Sequence, residues 1–215
     1  EIKSRGPALT DEGRRLLGPE HPLTLDVRLL SLDVHRFRGR TDQMRAELDD
    51  LIPILRGRRV PGDTGLVTAL EYRAHMALDA GAYSVAEAAA DEALRLGEAT
   101  LGTEHPKTVQ LAMTFSQTLQ YGAPRPELAL AAAERAMTLV SAVHPDPAYP
   151  AVVDMRHIYA RALGGAGQFA RGIEELERAI RDASARVGAE GRKVAFMRSN
   201  LARIQRRAGR LADAL

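Results

Sequence analysis

The sequence predicts an all-α chain built as a solenoid of helix–turn–helix repeats, and three observations carry that prediction. First, 45% of the 215 residues are hydrophobic but only 4% are aromatic. Ala and Leu supply most of the apolar content and favour helices, whereas the β-branched and aromatic residues that favour strands are scarce. Second, apolar residues recur near a 3.6-residue period, and no stretch sustains the two-residue alternation of a strand. Third, glycines return at Gly39, Gly81, Gly122, Gly167 and Gly209, with spacings of 42, 41, 45 and 42. Each separates two amphipathic segments, where a glycine just past a helix end accepts positive φ. Helix pairs of constant length joined by short turns stack as a solenoid rather than a bundle.

The elements follow in order. Ala8 to Leu17 reads as the last turns of a second helix. Segments 23–38 and 41–56 form the next pair, with Pro53 expected to kink or shorten the latter. Segment 65–80 aligns Leu66, Ala69, Leu70, Ala74 and Ala77 on one face, and segment 84–99 aligns Ala86, Ala89, Ala90, Ala93 and Leu94. Segments 107–121, 126–142, 150–166, 168–186 and 192–208 repeat the scheme, and Arg210 to Leu215 opens another second helix. Between pairs, Leu17-Gly18-Pro19-Glu20-His21-Pro22 returns 84 residues later as Leu101-Gly102-Thr103-Glu104-His105-Pro106. There Gly ends one helix and Pro opens the next at its first position, where the missing N–H costs nothing. Gly164-Gly165-Ala166-Gly167 follows a helix and lacks the lysine and hydroxyl residue of a phosphate loop, so it reads as a frayed helix end. The two ends predict a piece of a longer array. The repeats run approximately 1–22 (partial), 23–60, 61–104, 105–147, 148–190 and 191–215 (partial), as one continuous solenoid.

Small and bulky residues recur at set offsets from the turn glycines. Ala160, Phe169, Gly172 and Ala179 surround Gly167 as Ala74, Tyr83, Ala86 and Ala93 surround Gly81. Ala202, Leu211 and Ala214 hold corresponding places around Gly209. Small residues let paired helices approach, and the bulky residue after the turn fills the wedge. With this pattern, the 42-residue period and the Leu-Gly-x-Glu-His-Pro-x-Thr linker, the chain resembles the tetratricopeptide repeat (TPR). The likeness is to the longer variety found in kinesin light chains. The resemblance implies a right-handed superhelix whose first helices line a concave, partner-binding face. Leu32 and Met44 depart from the small-residue pattern, as do the longer turn at 122–126 and the linker with Pro145, Pro147 and Pro150.

Chemistry of other kinds finds little support. There is no cysteine, which excludes disulfides and thiolate metal sites. His21, His105 and His144 each precede a proline and read as helix caps or loop packing. No histidine pair has the spacing of a helical zinc site, and no nucleophile motif occurs. Asp49-Asp50 and Glu174-Glu175 read as solvated faces. No catalysis, metal or cofactor is therefore expected. No run reaches the roughly 18 apolar residues that span a bilayer, so this segment is not expected to insert into membranes. The N-terminus lacks an apolar leader, which favours the cytoplasm, although a cysteine-free chain folds equally well in the periplasm or outside the cell.

Binding is expected on the first helices. The resemblance puts candidate groove residues around each small position. These are Glu71 and His75 near Ala74, and Gln110, Thr114, Gln117 and Gln120 around Ser116. His157 and Arg161 flank Ala160, and Ser199, Asn200, Arg203 and Arg206 surround Ala202. The first repeat is ambiguous and yields Arg28, His35 and Arg36. The groove thus runs from mixed to amide-rich to basic. Seven basic residues lie between Arg192 and Arg210 with no acid among them. They could meet an acidic peptide segment or a C-terminal carboxylate, with Asn200 and Arg203 donating. Alternatively they form a solvated basic helix that pairs with a following acidic one.

A protein- or peptide-binding scaffold is the leading expectation. The alternative is a ligand-sensing region of a bacterial protein kinase or transcription regulator, a context favoured by the Ala-, Arg- and Gly-rich composition. Nucleic-acid binding is disfavoured, because net charge is only +2 and no aromatic residues interleave with the arginines.

Overall fold

A computed structural model describes residues 2–58, 63–121, 125–188 and 191–209, with the side chains of 2–8 and 187 left out. Among the described residues there are ten helices and no strand. They are α1 (Ile2–Leu17), α2 (Pro22–Phe37), α3 (Thr41–Gly57), α4 (Gly65–Asp79), α5 (Tyr83–Leu101), α6 (Pro106–Thr118), α7 (Pro126–Val143), α8 (Pro150–Gly165), α9 (Phe169–Val187) and α10 (Arg192–Arg207). The chain divides into two compact units, Glu1–Gly102 and Thr103–Leu215.

Within each unit, helices that follow one another in sequence pack together. The first helices also touch their counterparts: α2 meets α4, and α8 meets both α6 and α10. This stepwise stacking of helix pairs is the packing of an α-solenoid. The turn glycines make it possible. Gly39, Gly81, Gly167 and Gly209 have φ of 64°, 72°, 78° and 76°, a region where a Cβ would be strained. Gly122 and Arg210–Leu215 lie outside the described residues.

Small residues occupy the helix contacts. Ala74, Ala86, Ala93, Ala160 and Ala179 are all fully buried, as is Ser116 in the third repeat. Leu32 and Met44 are buried too, so larger side chains fill the same places in the first repeat. In unit 2 the core runs through Val153, Ala160, Ile173, Leu176, Val194, Met197 and Ile204, with Phe169 wedged at its edge. His21 and His105 cap α2 and α6, each accepting through Nδ1 from the N–H two residues on. His144 closes α7 and stacks on Tyr149 at 3.9 Å between ring centroids.

Several expectations need correction. Pro53 does not shorten α3, which continues to Gly57. The proline is exposed, so the carbonyl that loses its helical partner is on the solvent side. Helix α6 ends at Thr118, three residues early, and Gln120 and Tyr121 donate backbone N–H bonds to Gln117 and Thr118 in a tightened turn. Gly164 is an ordered, buried part of α8, not a frayed end. A Cβ there would stand 3.0 Å from Ile204 Cγ1 of α10. Gly172 of α9 is similarly tight, 3.0 Å from the Ala160 carbonyl oxygen.

Arg28 does not line a groove. It is fully buried, with Nε donating to Glu47 and Nη2 to Asp50, both at 2.5 Å. Arg156 repeats the device. It too lies seven residues after its helix N-cap, and its guanidinium meets Glu175 and Asp182 of α9 at 3.4 and 2.5 Å. Asp50 and Glu175 are thus not merely solvated faces, because they neutralise arginines drawn into the helix interface.

Candidate functional site

The last turns of α8 and α10 converge with the turn between α6 and α7. Gly164 sets the distance, since only a residue without a Cβ lets Ile204 seat directly on α8. A cavity of about 280 Å³ opens between these elements. Leu119, Ala129 and Ile204 give it an apolar floor, while Gln120, Arg125, Arg161, Asn200, Arg203 and Arg207 supply the polar groups. Among the described residues, four arginines line this space and no Asp or Glu does.

Three arginines of this cavity are held by groups other than carboxylates, as is Arg171, which donates to Gln168 Oε1 and the Tyr159 phenol, whereas many others are neutralised. Arg14, Arg28, Arg56, Arg73, Arg95, Arg156 and Arg178 all meet carboxylates. Among the described residues, Arg161, Arg203 and Arg207 do not. Arg161 lies over the Tyr121 ring, 4.6 Å from its centroid, and donates to the phenol oxygen at 2.8 Å. Arg207 lies 5.6 Å over Phe169. Arg203 donates to Asn200 Oδ1 at 2.7 Å. Aromatic faces and amide oxygens orient a guanidinium without cancelling its charge. The field of the cavity is therefore positive.

A buried support fixes Arg203. Asn200 is 2% exposed, and its Nδ2 donates to the Phe196 carbonyl at 3.1 Å and to His157 Nε2 at 3.0 Å. His157 can accept because it is neutral. Burial first, then the charges of Arg161, Lys193 and Arg203, push its pKa down to about 4. Phe196 packs edge-on against the imidazole at 5.5 Å. With both amide hydrogens used, Asn200 presents only its carbonyl oxygen, and that oxygen aims Arg203. Asn200 therefore positions a donor rather than donating to a ligand itself.

Of the residues expected to bind, Gln120, Arg161, Asn200 and Arg203 come together at this cavity. Gln120 Nε2 donates to the Ile158 carbonyl at 3.0 Å and ties the turn to α8. His157 sits beneath, buried. Ser199 and Arg206 are exposed on α10 outside the cavity, and the Ser199 hydroxyl donates to Phe196 O. On α6, Gln110 is exposed and Gln117 half-buried. Thr114 is buried, its hydroxyl donating to the Gln110 carbonyl at 3.1 Å, so it does not form part of an open polar stripe. Glu71 and His75 are half-buried on α4 in the other unit. Arg125 and Arg207 were not among the expected residues. Arg207 stands one turn past Arg203, and that spacing was the available signal. Arg125 is the N-cap of α7 and lies in a turn without periodicity.

Among the described residues, no three His, Asp or Glu side chains group as a metal site requires. No described helix is long and apolar enough to cross a membrane.

This architecture matches solved structures over nearly the whole chain. BtubC (BKLC) from P. vanneervenii superimposes with a TM-score of 0.75 at 14% identity, covering 99% of this chain and 85% of that one. The chain folds as a TPR-like repeat array. Two structures of a putative kinesin light chain with nearly identical TPR-like repeats from Podosopora anserina agree. One has a TM-score of 0.72 at 17% identity and the other 0.70 at 18%; each match covers 90% of this chain and 91% of that one. No family model and no curated protein matches the sequence. The TPR-like fold accounts for the position of the cavity, at the seam between the first helices of neighbouring repeats.

Proposed function

We propose that this TPR-like chain is a protein-binding scaffold without chemistry of its own, and that unit 2 takes an acidic segment or a C-terminal carboxylate of its partner. One observation carries the reading: four arginines surround a cavity that no carboxylate of the described residues lines. Guanidinium groups on a protein surface are ordinarily solvated and mobile. Here Tyr121, Phe169 and Asn200 hold three of them in place, so little side-chain freedom is lost when an anion arrives. Planar guanidinium groups match carboxylates with two parallel hydrogen bonds. The apolar floor of Leu119, Ala129 and Ile204 suits an aliphatic side chain beside the carboxylate.

The test is titration of the chain with a fluorescein-labelled acidic peptide carrying a free C-terminus. Each lost hydrogen bond to a charged group costs about 1.5–3 kcal/mol. Replacing Arg161 and Arg203 together by Ala should therefore weaken binding by at least about tenfold. Unchanged affinity would remove the assignment. Tighter binding of a single-stranded oligonucleotide at about 0.2 M salt would overturn it in favour of a polyanion site.

A further inference from the structure

Unit 1 contains a cavity of about 310 Å³ at the repeat position that the arginine cavity occupies in unit 2. Arg36 stands where Gln120 stands, 84 residues earlier in the sequence. Arg40 is the N-cap of α3 as Arg125 is the N-cap of α7. His75 follows the buried Ala74 as Arg161 follows Ala160. His35, Thr41 and Asp79 complete the polar lining. The helix-pair repeat has thus built one concavity twice and furnished it differently.

The charge balance is also distinctive. Among the described residues, Asp79 is the only carboxylate lining this cavity, against Arg36 and Arg40. Neither arginine has a carboxylate partner among the described residues. His35 Nδ1 is buried and without a hydrogen-bond partner. With both imidazoles neutral the lining carries a single net positive charge, which one carboxylate balances and a doubly charged phosphate exceeds. We propose that this cavity is a second acidic-group site, matched to one carboxylate, whose two imidazoles take up protons as it fills. The reading of unit 2 supplies the ligand class; the site itself stands on the geometry of unit 1.

The surroundings favour neutral rings before the ligand arrives. Burial is the largest influence on both and holds them below the usual histidine range. Around His35, Glu47 of α3 opposes this while Arg40 and Arg38 add to it. Asp11 and Arg14 of α1 and Asp50 of α3 line a separate cavity that His35 also faces. Around His75, Glu71 and Asp79 of α4 oppose it and Arg36 of α2 adds to it. A carboxylate between the rings reverses the balance and raises both pKa values. Binding then strengthens as pH falls through the histidine range, whereas a site of arginines alone is flat there.

The experiment uses an N-acetylated, C-terminally amidated Gly-Asp-Gly peptide, which carries one carboxylate, and the full chain, with histidine ring signals followed by NMR. In the Arg161→Ala/Arg203→Ala background, the His35 and His75 signals should shift saturably. Affinity at about pH 6 should be at least about fivefold tighter than at about pH 8. Replacing both histidines by Gln should abolish that pH dependence. Arg36→Ala/Arg40→Ala, at two exposed positions, should abolish binding at this cavity. Ring signals that stay put at high peptide concentration would overturn the proposal, as would a pH dependence that survives both His→Gln changes. If the rings respond while Arg161 and Arg203 in the parent chain do not, this site stands and the reading of unit 2 falls.

Discussion

Asn200 and His157, 43 residues apart in sequence, share a buried hydrogen bond of 3.0 Å that joins α10 to α8 beneath the arginine cavity. The bond needs a neutral imidazole, and burial supplies one. A donor amide turned inward leaves the Asn200 carbonyl oxygen outward, where it holds Arg203 at 2.7 Å. Packing in the repeat core is in this way transmitted to the orientation of a surface cation.

This relationship predicts acid sensitivity of a definite sign. The His157 pKa lies at about 4 in the folded chain against 6.5 unfolded, so below that unfolded value the unfolded chain binds more protons. Its contribution is complete above about pH 6.5 and declines as pH falls towards about 4, for a total on the order of 3 kcal/mol. Urea unfolding at several pH values, compared with His157→Gln, measures it. The variant should lose that part of the pH dependence. A His157 ring that titrates near 6.5 by NMR would contradict the assignment.

The two close glycine contacts should respond unequally to alanine. At Gly172 the new Cβ meets backbone, the Ala160 carbonyl oxygen at 3.0 Å and the Gly164 nitrogen at 3.2 Å. Backbone cannot step aside, so Gly172→Ala should cost about 2 kcal/mol despite the roughly 1 kcal/mol gained in helix propensity. At Gly164 the obstacle is the Ile204 side chain. Gly164→Ala should cost less, and Ile204→Val in the same chain should recover part of the loss. Thermal melts of the three variants decide, and a Gly172→Ala chain as stable as its parent would count against the packing described.

The buried arginines predict a graded effect on stability. Arg28 is fully buried, and Arg28→Ala strands Glu47, whose side chain is 14% exposed, with only the half-exposed Arg14 as partner. A loss of about 3–5 kcal/mol is expected. Arg156→Ala should cost less, because Glu175 and Asp182 reach more water and Glu175 keeps Arg178. Chemical denaturation of both variants checks the order, and equal losses would argue against burial as the cause.

Helix identity and order were legible because composition, period and punctuation agreed, while some ends, such as that of α6, were not. Each turn glycine in the described residues has positive φ, and prolines 22, 106, 126 and 150 open helices. What could not be read was pairing across helices. The period puts Arg28 on the face of Leu25 and Leu32, but its buried state depends on Glu47 and Asp50 of a different helix, and α2 alone does not name them. Repeat register points to Arg161, Asn200 and Arg203, and the three line one cavity. Arg125 escaped because a turn has no register. Asn200 lies at the cavity, but both its amide hydrogens are already used, which only the geometry shows.

The anion site proposed for unit 2 rests on the guanidinium groups of Arg161, Arg203 and Arg207, which lack carboxylate partners among the described residues. The most direct measurement follows arginine Nε–Hε signals by NMR while the acidic peptide with a free C-terminus is added. Arg161, Arg203 and Arg207 should shift together along one saturation curve, while Arg28 and Arg156, already neutralised by Glu47 and Glu175, stay where they are. Uniform small shifts across all arginines, or none at the cavity, would contradict the account.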